Sequence, residues 1–193
     1  MMDAAHGESA PQLSAEDKRT LLRIARRSLI DYLGGGRLPV CPTDSPAFLV
    51  PRAVFVTLRH RETGKLRGCR GESVARQPLV ESVADMAIAA ATDDPRFPPV
   101  TLDEVSDLQI EISMLSPMRP IRPDDVVVGR HGLMIVRGRH RGLLLPQVPE
   151  AHGWDREAFL RWTCRKAGLP ETDWQLDDTQ LYAFECAVWE EEK

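Results

Sequence analysis

The sequence predicts an α+β fold, with mostly antiparallel sheet and flanking helices. Single helical patterns alternate along the chain with short strand patterns, and two pairs of these strands are joined by short turns, as antiparallel neighbours are. The composition is globular, with 193 residues, 42% hydrophobic and 28% charged. A chain of this length buries roughly 70% of the surface that its unfolded form exposes. We therefore expect a folded core that needs neither disulfides nor a structural metal.

The first half of the chain predicts two helices and a hairpin. Ser14 and Asp17 have the spacing of a capping box, and apolar residues then recur every three or four positions until glycines 34–36 end the helix. Four prolines predict an irregular loop over residues 37–51. Strands are predicted at 53–58 and 66–71, with a turn at 62–65. An alanine-rich helix then runs from Pro78 to Ala91, thin enough for close backbone approach.

The second half predicts a half-buried strand, a second hairpin, a helix and a final strand. Residues 108–114 alternate between apolar and polar, which is the period of a strand with one polar face. The hairpin covers 132–136 and 142–146, with a strongly basic turn. Asp155 is the expected cap of a helix over 157–167, and a strand follows at 182–188.

The ends of the chain and its charge exclude several classes of protein. Lysine and arginine number 25 against 29 acids, and this net charge of −4 argues against a dedicated nucleic-acid binder. The sequence shows no signal peptide and no apolar stretch of the ~20 residues that a membrane span needs. We expect a soluble cytoplasmic protein with a disordered segment at 1–13, one domain over 14–190 and an acidic tail at 191–193.

Charge is distributed unevenly along the chain. Residues 52–76 carry seven basic groups against two acids, residues 119–141 carry six against two, and residues 171–193 carry eight acids against one lysine. Two basic hairpins on one cleft would attract a phosphate or carboxylate, whereas hairpins that face apart would be solvated turns. RNA binding through the basic hairpins is a weaker hypothesis, because they hold almost none of the aromatic residues that stack on bases.

The cysteines do not form a metal or redox motif. Cys41, Cys69, Cys164 and Cys186 lie far apart, so we interpret them as free thiols in a reducing compartment. The sequence has no zinc-protease histidine pair, no glycine-rich phosphate loop and no nucleophile elbow. No metal and no cofactor are therefore expected.

Cys69 stands in the sequence Leu66-Arg67-Gly68-Cys69-Arg70-Gly71. Flanking guanidinium groups favour thiolate over thiol, and glycines allow a ligand or another backbone to come close. On a regular strand Arg67 would share a face with Cys69. The alternative is a small buried side chain with no chemical role. A nucleophilic thiol also needs a base, and the sequence cannot place any of its five histidines beside it.

Two further segments present polar groups. Arg96 and Phe97 lie between prolines in a rigid turn, which either presents a guanidinium to an anion or caps the preceding helix. Glu111 and Ser113 share the polar face of an apolar strand, where they meet solvent or line a polar cleft.

Five motifs, taken in order, give the chain its resemblance to a known family. They are Phe55-Val56-Thr57-Leu58, the Cys69 segment, Asp94-Pro95-Arg96-Phe97-Pro98-Pro99, Gly142-Leu143-Leu144-Leu145-Pro146-Gln147-Val148 and Lys166-Ala167-Gly168-Leu169. Together they resemble the AMMECR family over about residues 21–188. The resemblance implies two unequal, interwoven subdomains around a cleft, and it implies no reaction. Prokaryotic relatives look like protein A of the AmmeMemoRadiSam system, which makes a Memo-like protein and a radical S-adenosylmethionine enzyme the expected partners.

The resemblance also implies which residues form the site. The expected catalytic residues are Cys69, Arg67 and Glu111, and the expected ligand-binding residues are Gly68, Gly71, Arg96, Phe97, Ser113 and Gln147. Arg70 departs from the family, which usually has an apolar residue there. One hypothesis is an enzyme in which Cys69 is the nucleophile, Arg67 stabilises the thiolate and holds an anionic substrate, and Glu111 or a histidine moves the proton. The other is a non-catalytic module that binds a small anion or a partner protein.

Overall fold

A computed structural model describes residues 13–36 and 45–192, so nearly all of the predicted disordered segment and half of the proline-rich loop lie outside it. The chain divides into two compact units. Unit 1 contains Met1–Ser113 and Val188–Lys193, and unit 2 contains Met114–Ala187. Within the described residues, no helix combines the length and the apolar character that crossing a membrane requires.

The elements match the predicted α+β class. The helices are α1 (Ala15–Leu33), α2 (Leu79–Thr92), α3 (Gln147–His152) and α4 (Arg156–Lys166). The strands are β1 (Val54–His60), β2 (Leu66–Gly71), β3 (Leu108–Leu115), β4 (Arg119–Pro120), β5 (Gly132–Arg137), β6 (His140–Leu144), β7 (Gln180–Phe184) and β8 (Cys186–Glu190). The predicted capping box of α1 is present, since Ser14 Oγ accepts from the Asp17 N–H and Asp17 accepts from the Ser14 N–H.

Unit 1 is built on a four-stranded sheet in the order β2-β1-β3-β8. Helix α2 packs against β1 and β2, and α1 packs against α2. Val56 and Leu58 of β1 are fully buried, as is Ile110 of β3. Because side chains alternate along a strand, Thr57 and Arg59 lie on the opposite face of β1. That face, turned away from the helices, carries the polar groups of the candidate site.

Unit 2 is a second sheet in the order β4-β7-β5-β6, and all three of its pairings are antiparallel. Helix α4 packs on β5 and β6. Phe159 and Cys164 of α4 are fully buried against Leu133, Ile135 and other apolar residues. Burial of such side chains stabilises a fold by about 1.5–3 kcal/mol each, and this cluster is the core of unit 2.

The predicted strand at 182–188 is two strands in two different sheets. The break falls at Glu185, whose N–H donates to Ser116 Oγ at 2.9 Å and whose carbonyl accepts from the Ser116 N–H. These bonds take the place of ladder bonds, so β7 ends in the sheet of unit 2 and β8 begins in the sheet of unit 1.

Glu191 is an anchor of unit 1, although its place in the sequence predicted an acidic tail. Its carboxylate binds the Arg26 guanidinium, lies 2.9 Å from Arg61 and accepts the Ile110 N–H at 3.1 Å. The side chain is only 14% exposed. Glu191 therefore ties α1, β3 and the residue that follows β1 to the segment after β8.

Candidate functional site

The β1–β2 hairpin places Cys69 on an edge strand of the unit 1 sheet. Thr57 lies directly opposite Cys69, and its hydroxyl donates to Cys69 Sγ at 3.3 Å. The thiol is half-buried. Because β2 has a neighbour on one side only, the Cys69 N–H is free to bind a group outside the sheet.

That group is the carboxylate of Asp94, which follows α2. Asp94 Oδ2 accepts the Cys69 N–H at 2.9 Å. The same carboxylate accepts from the Arg96 guanidinium at 2.9 and 2.6 Å and from the Arg96 N–H at 3.1 Å. The hydrogen bonds from Arg96 hold the pKa of Asp94 well below its usual range. Asp94 is therefore a buried, ionised link between the strand that carries the thiol and Arg96.

Arg96 is the guanidinium that interacts electrostatically with the thiol. Its pKa is raised above its ordinary value, chiefly by hydrogen bonding to Asp94. The Arg96 side chain is 56% exposed. It lies 5.5 Å from the centre of the Phe97 ring. A solvent-facing cation is thus held in place by the buried carboxylate that also binds the Cys69 backbone.

Arg67 has other partners, contrary to the expectation that it would stand beside the thiol. Its guanidinium is buried and donates to Glu104 at 3.0 Å and to the carbonyls of Pro98 and Pro99 at 2.9 and 3.4 Å. The β1–β2 register shifts at this point, so the regular alternation of side chains is interrupted. Arg67 therefore holds the proline turn against β2, and Arg96 is the arginine linked to Cys69, through Asp94.

The two glycines around Cys69 allow close packing. A Cβ on Gly68 would stand 2.1 Å from the carbonyl oxygen of Ala90 in α2, and one on Gly71 would stand 2.2 Å from the Phe55 ring. Arg70, between them, is exposed. Packing accounts for both glycines, and their expected role in ligand binding stays a prediction.

Glu111 and Ser113 lie on β3, with β1 between them and the strand of Cys69. Strands are about 4.8 Å apart, so the backbones of β2 and β3 are separated by roughly 10 Å. Glu111 Oε2 is 4.0 Å from Arg59 Nε. Burial raises the pKa of Glu111, Glu190 raises it further, and Arg59 opposes the shift. Ser113 is buried. Glu111 thus lies along the polar face, one strand beyond Thr57.

Gln147 belongs to unit 2, where it is the first residue of α3. Its Oε1 atom is buried and has no hydrogen-bond partner among the described residues. The histidines do not supply a base for the thiol: within residues 13–36 and 45–192, none of them hydrogen-bonds Cys69. Those same ranges hold no group of three or more histidine, cysteine or acidic side chains arranged for a metal ion.

Sequence reasoning missed Asp94, Thr57 and Glu104. Asp94 carries the one local signal, an aspartate two residues before Arg96, because such an aspartate accepts the backbone N–H of the second residue after it. The position of Thr57 opposite Cys69 depends on the register of β1 and β2, and the role of Glu104 depends on its ion pair with Arg67, far away in the sequence. Neither contact has a signal in the sequence.

The site consists of a half-buried thiol on an edge strand, a buried aspartate and a solvent-facing arginine. The protein is therefore one whose α+β fold already forms a polar site. The sequence profile of the AMMECR1 family matches residues 22–189, and the chain belongs to this family. A protein of Thermococcus gammatolerans is 46% identical over 182 residues, which cover 89% of each chain. Protein MK0488 of Methanopyrus kandleri is 40% identical, covering 94% of this chain and 92% of its own.

A solved structure shares the fold. The crystal structure of the uncharacterized protein PH0010 from Pyrococcus horikoshii superposes with a TM-score of 0.82 at 44% identity, covering 89% of this chain and 90% of that one. The chain is therefore a member of the AMMECR1 family, and it shares its fold with a relative whose crystal structure is known.

Proposed function

We propose that unit 1 carries a cysteine-dependent catalytic site for a small anionic substrate. Cys69 acts as the nucleophile, Arg96 binds the anionic group and Glu111 moves a proton at the far side of the polar face. The observation that carries this proposal is the Asp94 carboxylate, which holds the Cys69 backbone and the Arg96 guanidinium together. A fixed cation beside a thiol both attracts an anion and stabilises the thiolate, which is the reactive form.

The polar face supplies the remaining parts. Thr57 donates to the sulfur, and it shares its face of β1 with Arg59, which lies beside Glu111. A substrate lying across β1 would reach from the thiol to Glu111, a distance of about two strand spacings. The raised pKa of Glu111 brings this carboxyl closer to the range in which it exchanges protons near neutral pH.

The experiment compares two alkylating agents that differ in charge. Iodoacetate is anionic and iodoacetamide is neutral, so the ratio of their rates at Cys69, divided by the ratio at a free thiol, measures local attraction of anions. We expect this quotient of the two ratios to exceed one in the wild type, to fall in Arg96→Gln and to stay unchanged in Arg70→Gln. Arg70 is the matched control because it is an exposed arginine on β2. An unreactive Cys69, or a ratio that Arg96→Gln does not change, would overturn the proposal.

A binding module is the second candidate, and the exposure of Arg96 beside Phe97 favours it. A guanidinium next to an aromatic ring recognises a carboxylate without help from a thiol. The occupant would be a small anion or a partner protein, for which a Memo-like protein and a radical S-adenosylmethionine enzyme are the proposed partners. Cys69→Ser separates the two functions, because binding to either purified partner survives it whereas thiol-dependent turnover does not.

A further inference from the structure

His131, in unit 2, is a buried histidine that the proposed reaction does not use. The residue is only 4% exposed and precedes β5. Its Nδ1 accepts the Val127 N–H at 3.1 Å. A ring nitrogen that accepts a hydrogen bond carries no proton, so the neutral imidazole carries its proton on Nε2. Burial lowers the pKa of His131, and Arg119 and Arg130 lower it further, which keeps the ring neutral at pH 7.

The protonated Nε2 meets a second donor rather than an acceptor. It lies 3.5 Å from the Arg119 guanidinium, which has no lone pair to accept the Nε2 hydrogen. The protonated Nε2 likewise has no lone pair to accept a hydrogen from Arg119. Arg119 makes no ion pair with any residue that the structure describes. Two converging donors without an acceptor between them form the arrangement that an anionic oxygen completes.

A cavity of about 410 Å³ opens at this point, which we name the His131 pocket. Its lining combines the two donors with apolar and charged side chains: Arg119, Pro120, Ile121, Arg122, Asp125 and His131. This volume falls within the range of small-molecule sites.

Among the arginines in and beside the pocket, Arg119 is the one that has no ion pair with a carboxylate of the described residues. Arg122 pairs with Asp125 at 3.1 Å, and Arg130 pairs with Glu185 at 2.8 Å. Glu185 also interacts electrostatically with Arg119 and His131, although its hydrogen bond goes to Arg130. One positive charge therefore remains for a ligand.

We propose that the His131 pocket binds the carboxylate or phosphate group of a small molecule, with the Arg119 guanidinium and the His131 Nε2–H as its donors. This site is separate in sequence from Cys69 and belongs to unit 2, so it is independent of the proposed reaction. It also gives a role to one part of the basic segment 119–141.

The test titrates the full chain with inorganic phosphate and with malonate at constant ionic strength, using calorimetry. We expect saturable binding of at least one anion, and the preferred anion identifies the group as phosphate or carboxylate. Removal of a charged hydrogen-bond donor typically weakens binding by about tenfold or more, which is the expectation for Arg119→Gln. The matched control is Arg139→Gln, an exposed arginine in the β5–β6 turn, which leaves affinity unchanged.

His131→Asn tests the imidazole itself. The asparagine carbonyl can still accept the Val127 N–H, but no donor remains at the position of Nε2, so we again expect about tenfold weaker binding. Should this variant fail to fold, ¹⁵N spectra of wild-type His131 decide the matter: they should show the proton on Nε2, with a shift on adding the anion. A proton on Nδ1, no saturable binding of either anion, or unchanged affinity in Arg119→Gln would overturn the proposal.

Discussion

Asp94 joins the thiol strand to the exposed cation, so Asp94→Asn should affect both. The amide oxygen can still accept the Cys69 N–H, but the lost charge weakens the bonds from Arg96. Hydrogen bonds to charged groups contribute about 1.5–3 kcal/mol, and we expect a loss of about 2 kcal/mol in the free energy of unfolding at pH 7. Urea unfolding measures it, with the exposed neighbour Asp93→Asn as control.

The pH dependence of that loss has a definite sign. The folded pKa of Asp94 is depressed from 3.8, so its contribution is present above pH 3.8 and is lost as pH falls toward the folded value. The difference between wild type and Asp94→Asn should therefore shrink between pH 5 and pH 3, roughly the range in which the unfolded aspartate titrates. A difference that stays constant over this range would contradict the assignment of Asp94 as a buried carboxylate.

The contribution of Glu111 to stability depends on pH in the opposite direction. Its folded pKa is raised above 4.5 by burial, so its contribution is fully present below pH 4.5 and is lost as pH rises through the folded value. Glu111→Gln removes the burial of a charge, and we expect its melting temperature relative to wild type to increase from pH 4 to pH 8. Thermal unfolding across that range is the measurement, and a relative decrease would mean that the attraction of Arg59 outweighs burial.

For individual residues, the sequence predicted the residue types of the candidate site better than the partners of those residues. Cys69 and Arg96 were singled out from their motifs, and Asp94 binds both, although their roles stay predictions. The role expected of Arg67 depended on regular strand alternation, which the register shift at β2 interrupts. The contact of Thr57 with Cys69 follows from strand pairing, and the bond between Asp94 and Cys69 follows from the path of the chain after α2; local patterns encode neither.

At the level of secondary-structure elements, the contact of β2 with α2 requires a residue without a side chain at Gly68. The Ala90 carbonyl occupies the place of a Cβ at Gly68, so Gly68→Ala forces the helix backbone to shift. Overpacking of this kind costs about 1–3 kcal/mol, and urea unfolding should show a loss in that range. The control is Gly64→Asn in the turn between β1 and β2, where space is open and asparagine tolerates the left-handed φ of 67°. Equal stability of Gly68→Ala and wild type would contradict this packing.

Elements with a clear period were predicted and those defined by long-range bonds were not. α1, α2, α4 and the two hairpins follow from hydrophobic spacing, caps and turns. The division between β7 and β8 depends on Ser116, far away in the sequence, whose hydroxyl binds the Glu185 N–H. A continuous alternation of apolar residues across 182–188 gives no sign of that bond.

Over the whole molecule, the acidic end of the chain pairs with part of each basic segment. Glu191 binds Arg61 in unit 1, while Glu185 binds Arg130 and Asp173 binds Arg137 in unit 2. The uneven charge of the sequence is thus paired in part after folding. Arg119 in unit 2 has no ion pair with a carboxylate among the described residues, and Arg96 in unit 1 is paired with Asp94 but exposed, so each unit has a cation that a ligand can reach.

The two units can be tested for cooperative unfolding through Cys164. This thiol is fully buried and burial raises its pKa, so alkylation requires unit 2 to open. The neighbouring strands β3 and β8 hold the two ends of unit 2 together, and their release increases the entropy of its chain. We therefore expect Gly68→Ala, a change in unit 1, to accelerate Cys164 alkylation, by about tenfold for each 1.4 kcal/mol of lost stability.

The control for this experiment is a substitution in unit 1 that does not disturb the packing of β2 on α2. Gly64→Asn should leave the Cys164 rate near that of wild type, and half-buried Cys69 should react without urea in both proteins. Mass spectrometry of the alkylated peptides assigns each rate. If Gly68→Ala lowers the urea midpoint of unit 1 while the Cys164 rate stays unchanged, the units unfold separately. Unit 2, with its core around Phe159 and Leu133, would then be stable without the strands that close it.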